Sequence, residues 1–161
     1  MTARLFLLRH GETLANLEYI YQGQSDSPLS KRGKEEAEIL SKYLQKEPFA
    51  AIYSSNLKRS FDTAKAISKR HKGISVQKVK ELAERNYGKF EGLHFEKIRE
   101  RYPKIYDLWL KYPNKAKIPG AETLKQLQKR GVLAVEKLLK KHKDQTICIV
   151  GHGGINRAII F

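Results

Sequence analysis

The stretch that decides the fold is Leu5-Phe6-Leu7-Leu8-Arg9-His10-Gly11-Glu12-Thr13, close to the start of the chain. Its four consecutive apolar residues predict a short strand buried on both faces, as in the middle of a parallel sheet. The run then stops at an arginine, a histidine and a glycine. Either the strand ends in solvent, or its carboxyl end opens into a ligand site, as it does in open α/β sheets. This stretch alone supports both interpretations equally.

A second stretch has the same design and favours the ligand site. Residues 146–154 form an apolar strand that ends at His152 among glycines, with an apolar helical start behind it. Glycines let the backbone approach a bound group closely and leave amide N–H groups free for an anion. Two histidines, Arg9 and exposed amides at neighbouring strand ends therefore predict a phosphate site.

The chain between these stretches alternates between helical and strand patterns. The predicted elements are a helix from Lys31 to about Lys46 with Ser30 as its N-cap, a strand over 50–53, a helix after 54–56, an outer strand over 74–82 and a long helix over 123–142. Strands that alternate with helices indicate βαβ units, so the fold class is α/β with a largely parallel sheet.

Residues 84–120 form the least regular part of the chain. Gly88 and Gly92 interrupt the pattern, and two short helices are predicted after them. We interpret this segment as a lid-like insertion in a single domain that spans residues 1–161. A domain of this length buries about two thirds of the surface that its unfolded chain exposes.

The C-terminus is unusual, because the apolar residues 158–161 lie in the middle of a helical pattern that starts at Ile155. Natural termini rarely expose such a run, so we expect that the chain is truncated after residue 161. Truncation would leave the first strand with an exposed edge, and such edges promote self-association. A homodimer through this edge is a further expectation.

Composition limits the classes of function. The net charge is +15, yet the basic residues lie in separate elements and no nucleic-acid-binding signature accompanies them. A diffuse positive field of this kind attracts any anionic substrate.

No apolar run approaches the roughly 20 residues that cross a bilayer, and the start does not resemble a secretory signal. We therefore expect a cytoplasmic protein that binds neither a membrane nor a specific nucleic acid. Cys148, the single cysteine, is expected to be a core residue.

Motifs for metal and nucleotide chemistry are absent from the sequence. It contains no CxxC, no HExxH and no metal-binding group of carboxylates, and no GxxxxGK[ST] loop. We therefore expect neither a metal nor another cofactor.

The order of the motifs resembles the histidine phosphatase superfamily, also called the phosphoglycerate mutase-like family. The resemblance rests on Arg9-His10-Gly11, Asn16, Gln22-Gly23, residues 26–30, residues 53–59 with Thr63-Ala64, Leu82 with Glu84, Gly120-Ala121-Glu122-Thr123 and Gly151-His152-Gly153. It covers essentially the whole chain and implies a three-layer αβα fold. Family members usually continue for several tens of residues and add strands beside the first strand, so the resemblance also implies that C-terminal strands are missing.

The resemblance implies catalytic roles. His10 is the expected nucleophile, and Arg9 and Arg59 would keep its imidazole neutral and grip phosphate oxygens in forked geometry. His152 would donate to a phosphate oxygen. Glu84 would protonate the leaving oxygen and later accept a proton from water, if burial and the phosphate raise its pKa. Asp62 and Glu91 are weaker alternatives for that acid.

Other residues are expected to contact the substrate. Asn16, Gln22 and Gly23 are predicted to line the entrance, with Gly11 and Gly153 beside the phosphate. The segment from Glu84 to Gly88 resembles the ERxYG segment of cofactor-dependent phosphoglycerate mutases, in which the arginine and tyrosine hold substrate. By that match Arg85 and Tyr87 are substrate-binding residues.

Two departures favour a phosphatase over a mutase. Mutases have a lysine where this chain has Phe95, and an arginine pair where Leu110-Lys111 follows Trp109. The predicted function is a metal-independent phosphomonoesterase that hydrolyses small phosphorylated metabolites through a phosphohistidine on His10. The alternatives are a phosphoglycerate mutase, a phosphatase acting on phosphohistidine or phosphoserine in proteins, and a basic binding module without turnover.

Overall fold

A computed structural model describes residues 3–161 of the chain. Its elements in chain order are β1 (Arg4–Arg9), α1 (Leu14–Leu17), α2 (Lys31–Leu44), β2 (Phe49–Ser54), α3 (Lys58–Ser68), β3 (Val76–Lys78), 3-10 turns over Lys80–Leu82 and Gly88–Phe90, α4 (Phe95–Arg101), α5 (Pro103–Lys111), α6 (Leu124–Lys141), β4 (Thr146–Gly151) and α7 (Gly153–Ile160). Ser30 caps α2 with its side chain, as predicted. Thr123, predicted as the first residue of the long helix, is instead the N-cap of α6.

The four strands form one parallel sheet in the order β1-β4-β2-β3. The second apolar stretch of the sequence therefore becomes a central strand, with β1 on one side and β2 on the other. Its register with β1 runs from Arg4 opposite Thr146 to Arg9 opposite Gly151. The carboxyl ends of β1, β4 and β2 consequently meet at one edge of the sheet.

Helices cover both faces of the sheet, which confirms the predicted α/β fold with three αβα layers. On one face α2 and α3 bury Leu44, Ala64 and Ile67 against the side chains of β2 and β4. On the other face α6 buries Val135 and Leu138 against the alternate residues of the same strands. Because β4 is covered on both sides, its apolar run is nearly continuous.

A third apolar cluster lies within the irregular segment 84–120. Phe90, Ile98, Tyr106 and Ile118 pack together there, surrounded by further aromatic side chains. The two short predicted helices are α4 and α5. The segment thus has a small core of its own beside the sheet, and its function as a lid stays a prediction.

Two predictions about strands are wrong in detail. β1 lies at an edge of the sheet rather than in the middle, and its residues 5–8 are only half-buried, because among the described residues it pairs with β4 alone. The predicted outer strand over 74–82 is a strand only at Val76–Lys78. The chain then turns so that Leu82 enters the core, and Lys80–Leu82 is a 3-10 turn.

Within the described residues, no helix has both the length and the apolar character that crossing a bilayer requires.

Candidate active site

The two histidines of the apolar stretches lie side by side at the carboxyl edge of the sheet. His10 follows the last residue of β1 and His152 follows the last residue of β4, and these last residues are register partners. The His10 N–H donates to the Gly151 carbonyl at 3.2 Å. The two imidazole rings meet edge to face, with centroids 5.0 Å apart. The parallel register therefore brings together two residues that are 142 positions apart in the chain.

The imidazole of His10 is held in one tautomer. Its Nδ1 lies 2.7 Å from the carbonyl oxygen of Gly11. Because a carbonyl only accepts, Nδ1 carries the hydrogen and the lone pair is on Nε2. Burial, reinforced by Arg59 and Arg9, lowers the pKa of His10 to about 4. Burial thus contributes more than the arginines to which sequence analysis attributed the effect, and Nε2 is a free nucleophile at neutral pH.

His152 is fully buried behind this edge. Its Nε2 lies 2.6 Å from the hydroxyl oxygen of Ser55. Burial, together with Arg59 and the neighbouring His10, lowers the pKa of this imidazole far below its ordinary value. His152 is therefore neutral, and its Nδ1 is buried without a partner among the described residues.

Arg59 on α3 holds the loop that follows Gln22. Its Nη2 donates to the carbonyl of Gly23 at 2.7 Å, and its Nη1 donates to Ser25 O at 2.8 Å and to the Asp26 carboxylate at 3.2 Å. These bonds use three of the five guanidinium N–H groups. Nε, which is buried without a partner in the described chain, and one Nη2 hydrogen remain for a ligand. The expected forked grip on a phosphate thus rests on these two donors and stays a prediction.

Glu84 is tied to the start of α7. Its Oε1 accepts the N–H groups of Arg85 at 2.8 Å and Ile155 at 3.0 Å, and its Oε2 accepts that of Gly154 at 2.8 Å. A Cβ at position 154 would lie 2.3 Å from Oε1, so only glycine permits this contact. The carboxylate is thereby fixed in the wall of the same cavity as His10.

The backbone that carries Glu84 is anchored by Arg130 of α6. The Arg130 guanidinium donates to the carbonyls of Glu81, Ala83 and Glu84 over 2.5–2.9 Å. It also forms an ion pair with Glu122, with Nε 2.6 Å from Oε1. Glu122 belongs to a motif of the sequence analysis and Arg130 does not, so the sequence did not predict this ion pair.

A cavity of about 400 Å³ opens at this edge. Its lining contains the polar residues Arg9, His10, Asn16, Gln22, Gly23, Arg59 and Glu84 and the apolar or aromatic residues Ala15, Tyr19, Ile20, Tyr21, Tyr87, Phe95 and Tyr106. The structure thus brings together His10, both arginines, the acid and the three entrance residues of the sequence prediction. Arg9 and the buried Arg59 give the lining its positive charge.

Arg85 and Tyr87 are placed differently. Tyr87 lines the cavity, whereas Arg85 lies in a neighbouring cavity of about 890 Å³. Its guanidinium stacks 4.8 Å over the ring of Trp109, and its Nε donates to the Glu122 carbonyl at 2.7 Å. The match to the mutase segment therefore places Arg85 near the site without bringing it into the cavity that contains His10.

Two glycines that are predicted to contact substrate, Gly11 and Gly153, have structural contacts of their own. The Gly11 N–H donates to the hydroxyl of Thr63 at 3.1 Å, so it is occupied, and the carbonyl of Gly11 orients His10. A Cβ on Gly11 would lie 2.4 Å from Gly33 O at the start of α2. Gly11 therefore positions His10, and its predicted contact with substrate stays a prediction. Gly153 is the first residue of α7, beside the side chain of Arg9 and outside the cavity lining.

The alternative acids are engaged elsewhere. Asp62 pairs with Lys58 at 2.6 Å. Glu91 accepts the N–H groups of Gln24, Ser25 and Tyr87. It thereby binds N–H groups of the same loop whose carbonyls accept from Arg59. Neither carboxylate lines the cavity, which leaves Glu84 as its acid.

Sequence analysis missed several residues that build the site. Ser55, Asp26 and Glu122 belong to quoted motifs, but their partners could not be inferred from the motifs. Thr63 also belongs to a quoted motif, whereas Arg130 lies on α6 outside the motifs. Most of these contacts join residues that are tens of positions apart, so only the folded chain reveals them.

Comparison with known proteins identifies the family. The family model of the histidine phosphatase superfamily, branch 1, matches residues 5–161. The chain is 39% identical over 157 residues to a protein named metal-independent phosphoserine phosphatase from Arabidopsis thaliana, covering 96% of this chain and 66% of that protein. It is 36% identical over 149 residues to phosphoserine phosphatase 1 of Hydrogenobacter thermophilus, covering 92% of this chain and 70% of that protein. The chain thus spans about two thirds of the length of these relatives.

A solved structure agrees in fold. YhfR of Bacillus stearothermophilus superposes with a TM-score of 0.95 at 31% sequence identity, covering 99% of this chain and 78% of that one. Together with the family match over residues 5–161, this similarity extends through the sheet, the cavity and both histidines. The chain therefore belongs to the histidine phosphatase superfamily.

Proposed function

We propose that this chain carries the active site of a metal-independent phosphomonoesterase that hydrolyses small phosphorylated metabolites. The observation that carries the proposal is the state of His10. Its imidazole is neutral, its Nδ1–H is bound to the Gly11 carbonyl, and its free Nε2 belongs to a cavity flanked by Arg9 and Arg59. A neutral imidazole of fixed tautomer beside cations is suited to accept a phosphoryl group.

In the first step Nε2 of His10 attacks the phosphorus atom of the ester. A P–N bond forms while the P–O bond to the leaving group breaks, and Glu84 in its protonated form gives its proton to the leaving oxygen. Arg9, and the two free donors of Arg59, stabilise the charge on the equatorial oxygens. Oε2 of Glu84 accepts a single N–H bond, so it keeps a lone pair for the proton that is exchanged.

In the second step water attacks the phosphohistidine. Glu84, now ionised, takes a proton from the water as the new P–O bond forms and the P–N bond breaks. Inorganic phosphate leaves, and His10 and Glu84 return to their starting protonation states. The two steps together consume only the phosphate ester and one water molecule.

The lining of the cavity supports hydrolysis over mutase chemistry. A mutase must hold a bisphosphate, which requires cationic groups on both sides of the reacting phosphate. Here the lysine and arginine residues of the described lining are Arg9 and Arg59, Phe95 is one of several aromatic residues in it, and Arg85 lines the neighbouring cavity. The names of the two phosphoserine phosphatases to which the chain is similar point in the same direction.

Hydrolysis of p-nitrophenyl phosphate in the presence of EDTA tests the proposal. We expect turnover by the unchanged protein and none by His10→Ala. His71→Gln is the matched control, because His71 packs on Phe49 at the opposite edge of the sheet and should leave turnover unchanged. Loss of turnover on adding EDTA, or persistence of turnover in His10→Ala, would contradict the proposal.

A further inference from the structure

The residue that follows β2 contacts the second histidine. Ser55 is fully buried at the carboxyl edge of the sheet, where the ends of β1, β4 and β2 meet. Its Oγ lies 2.6 Å from Nε2 of His152 and also accepts the N–H of Leu57 at 3.2 Å.

The hydrogen-bond pattern determines which atom of this pair donates. A serine hydroxyl has one hydrogen, and among the described residues Nε2 of His152 is the only acceptor within its reach. If Nε2 carried the hydrogen instead, Ser55 Oγ would receive two N–H groups, and two buried groups would lack partners: the hydroxyl hydrogen and the lone pair of Nδ1. With the hydrogen on Nδ1, that N–H is the one group of the pair without a partner among the described residues. Each unsatisfied buried group costs about 1–3 kcal/mol, so the hydroxyl donates to Nε2.

This assignment determines the other ring nitrogen. A neutral imidazole carries one N–H, so His152 with an accepting Nε2 has its hydrogen on Nδ1. Nδ1 is itself buried and has no partner in the described chain. A buried N–H without a partner requires an acceptor. His152 is not among the residues that line the cavity, and the ring beside it is that of His10, with centroids 5.0 Å apart. The acceptor that this position suggests is an oxygen of a phosphoryl group bound at His10.

We propose that Ser55 is a positioning residue that fixes His152 in the Nδ1–H tautomer, so that its one N–H is available to the phosphoryl group. The donation of this N–H to a phosphoryl group rests on the proposed function, whereas the assignment of the tautomer does not. Without the Ser55 hydroxyl, His152 redistributes toward the Nε2–H tautomer. The ring then loses its donor to the transition state.

The tautomer can be measured directly in the resting protein. Two-dimensional ¹H–¹⁵N spectra of histidine-labelled protein distinguish Nδ1–H from Nε2–H at each of the five histidines. His152→Asn assigns the His152 signal, and kcat and KM for p-nitrophenyl phosphate are measured in parallel. We expect Nδ1–H in the unchanged protein. In Ser55→Ala we expect a shift toward Nε2–H, with kcat lowered about a hundredfold or more and KM little changed.

Ser41→Ala is the matched control. It removes another buried hydroxyl, which donates to the Ala66 carbonyl between α2 and α3, and it should change neither the tautomer nor kcat. The other four histidine signals of Ser55→Ala report whether the fold is intact. An Nε2–H signal for His152 in the unchanged protein, or an unchanged tautomer in Ser55→Ala, would overturn the proposal. An Nδ1–H tautomer in a protein without turnover would support the assignment of Ser55 and contradict the proposed function instead.

Discussion

The rings of His10 and His152 meet edge to face at the ends of two neighbouring parallel strands, with centroids 5.0 Å apart. Each ring binds through one nitrogen, His10 to the Gly11 carbonyl and His152 to the Ser55 hydroxyl. Burial lowers the pKa of both, so both are neutral at physiological pH. The pair thus combines a nucleophilic lone pair with a neighbouring neutral imidazole.

The stability of the folded protein should depend on pH because of His10. Its pKa falls from 6.5 to about 4 on folding, so between these values the unfolded chain binds more protons than the folded one. The free energy of unfolding should therefore decrease as the pH falls from about 6.5 to about 4, with His10 contributing up to about 3 kcal/mol. Urea unfolding across this range measures the slope. In His10→Gln the free energy of unfolding should depend less steeply on pH. An equal dependence in the two proteins would contradict the lowered pKa of His10.

Asp26 should matter for both folding and turnover. α3 begins at Lys58 without a side-chain cap of its own, and Asp26 accepts the N–H of Lys58 while pairing with Arg59. Asp26→Ala should cost about 1 kcal/mol of unfolding free energy through the lost cap. It should also lower kcat/KM about tenfold or more, because the donors of Arg59 lose their orientation. Asp107→Ala on α5 is a control that should leave kcat/KM unchanged; an equal effect of both changes would contradict the prediction.

The Glu122–Arg130 pair should act on Glu84. Arg130→Lys keeps the charge but cannot contact three carbonyls and a carboxylate together, so the segment 81–84 should loosen. We expect kcat to fall about tenfold or more with a smaller change in KM, because positioning of the acid matters mainly in the transition state. Arg32→Lys, which alters an exposed pair with Glu36, is the control. A rise in KM alone would show that Arg130 does not act through Glu84.

The aromatic residues of the cavity should determine which esters react well. Tyr21, Tyr87, Phe95 and Tyr106 line the cavity, and among the described residues its lining contains no lysine and no arginine besides Arg9 and Arg59. Phenyl phosphate should therefore have a higher kcat/KM than 3-phosphoglycerate, whose carboxylate would have to share these two arginines with the phosphate. Phe95→Ala should raise KM for phenyl phosphate more than for 3-phosphoglycerate. A preference for 3-phosphoglycerate, or its conversion to the 2-phosphate, would support the mutase alternative.

Sequence reasoning predicted the features that depend on local patterns. The two apolar runs, the cap at Ser30 and the alternation of strands and helices are encoded over a few residues each, and the structure contains all of them. The closeness of His10 and His152 could be predicted because the carboxyl ends of parallel strands meet at the same edge of the sheet.

The features that were missed depend on long-range pairing. β1 has the composition of a central strand, but its place at the edge follows from strand order, which its own residues do not encode. Arg85 occupies the arginine position of the ERxYG segment, yet its contacts with Trp109 and Glu122 place it in the neighbouring cavity. Truncation, the homodimer, the lid and the cytoplasmic location remain predictions.

The most direct test of the central claim is to trap the phosphoryl group on the protein. Glu84→Gln lacks the carboxylate that takes a proton from water, whereas p-nitrophenolate is a weak base that leaves without being protonated. The phosphohistidine should therefore accumulate when this variant is mixed with p-nitrophenyl phosphate and quenched in alkali. Mass spectrometry of the peptides should locate the phosphoryl group on His10, and the double variant with His10→Ala should carry none. A phosphoryl group on another residue, or none in Glu84→Gln while the unchanged protein turns over substrate, would contradict the account.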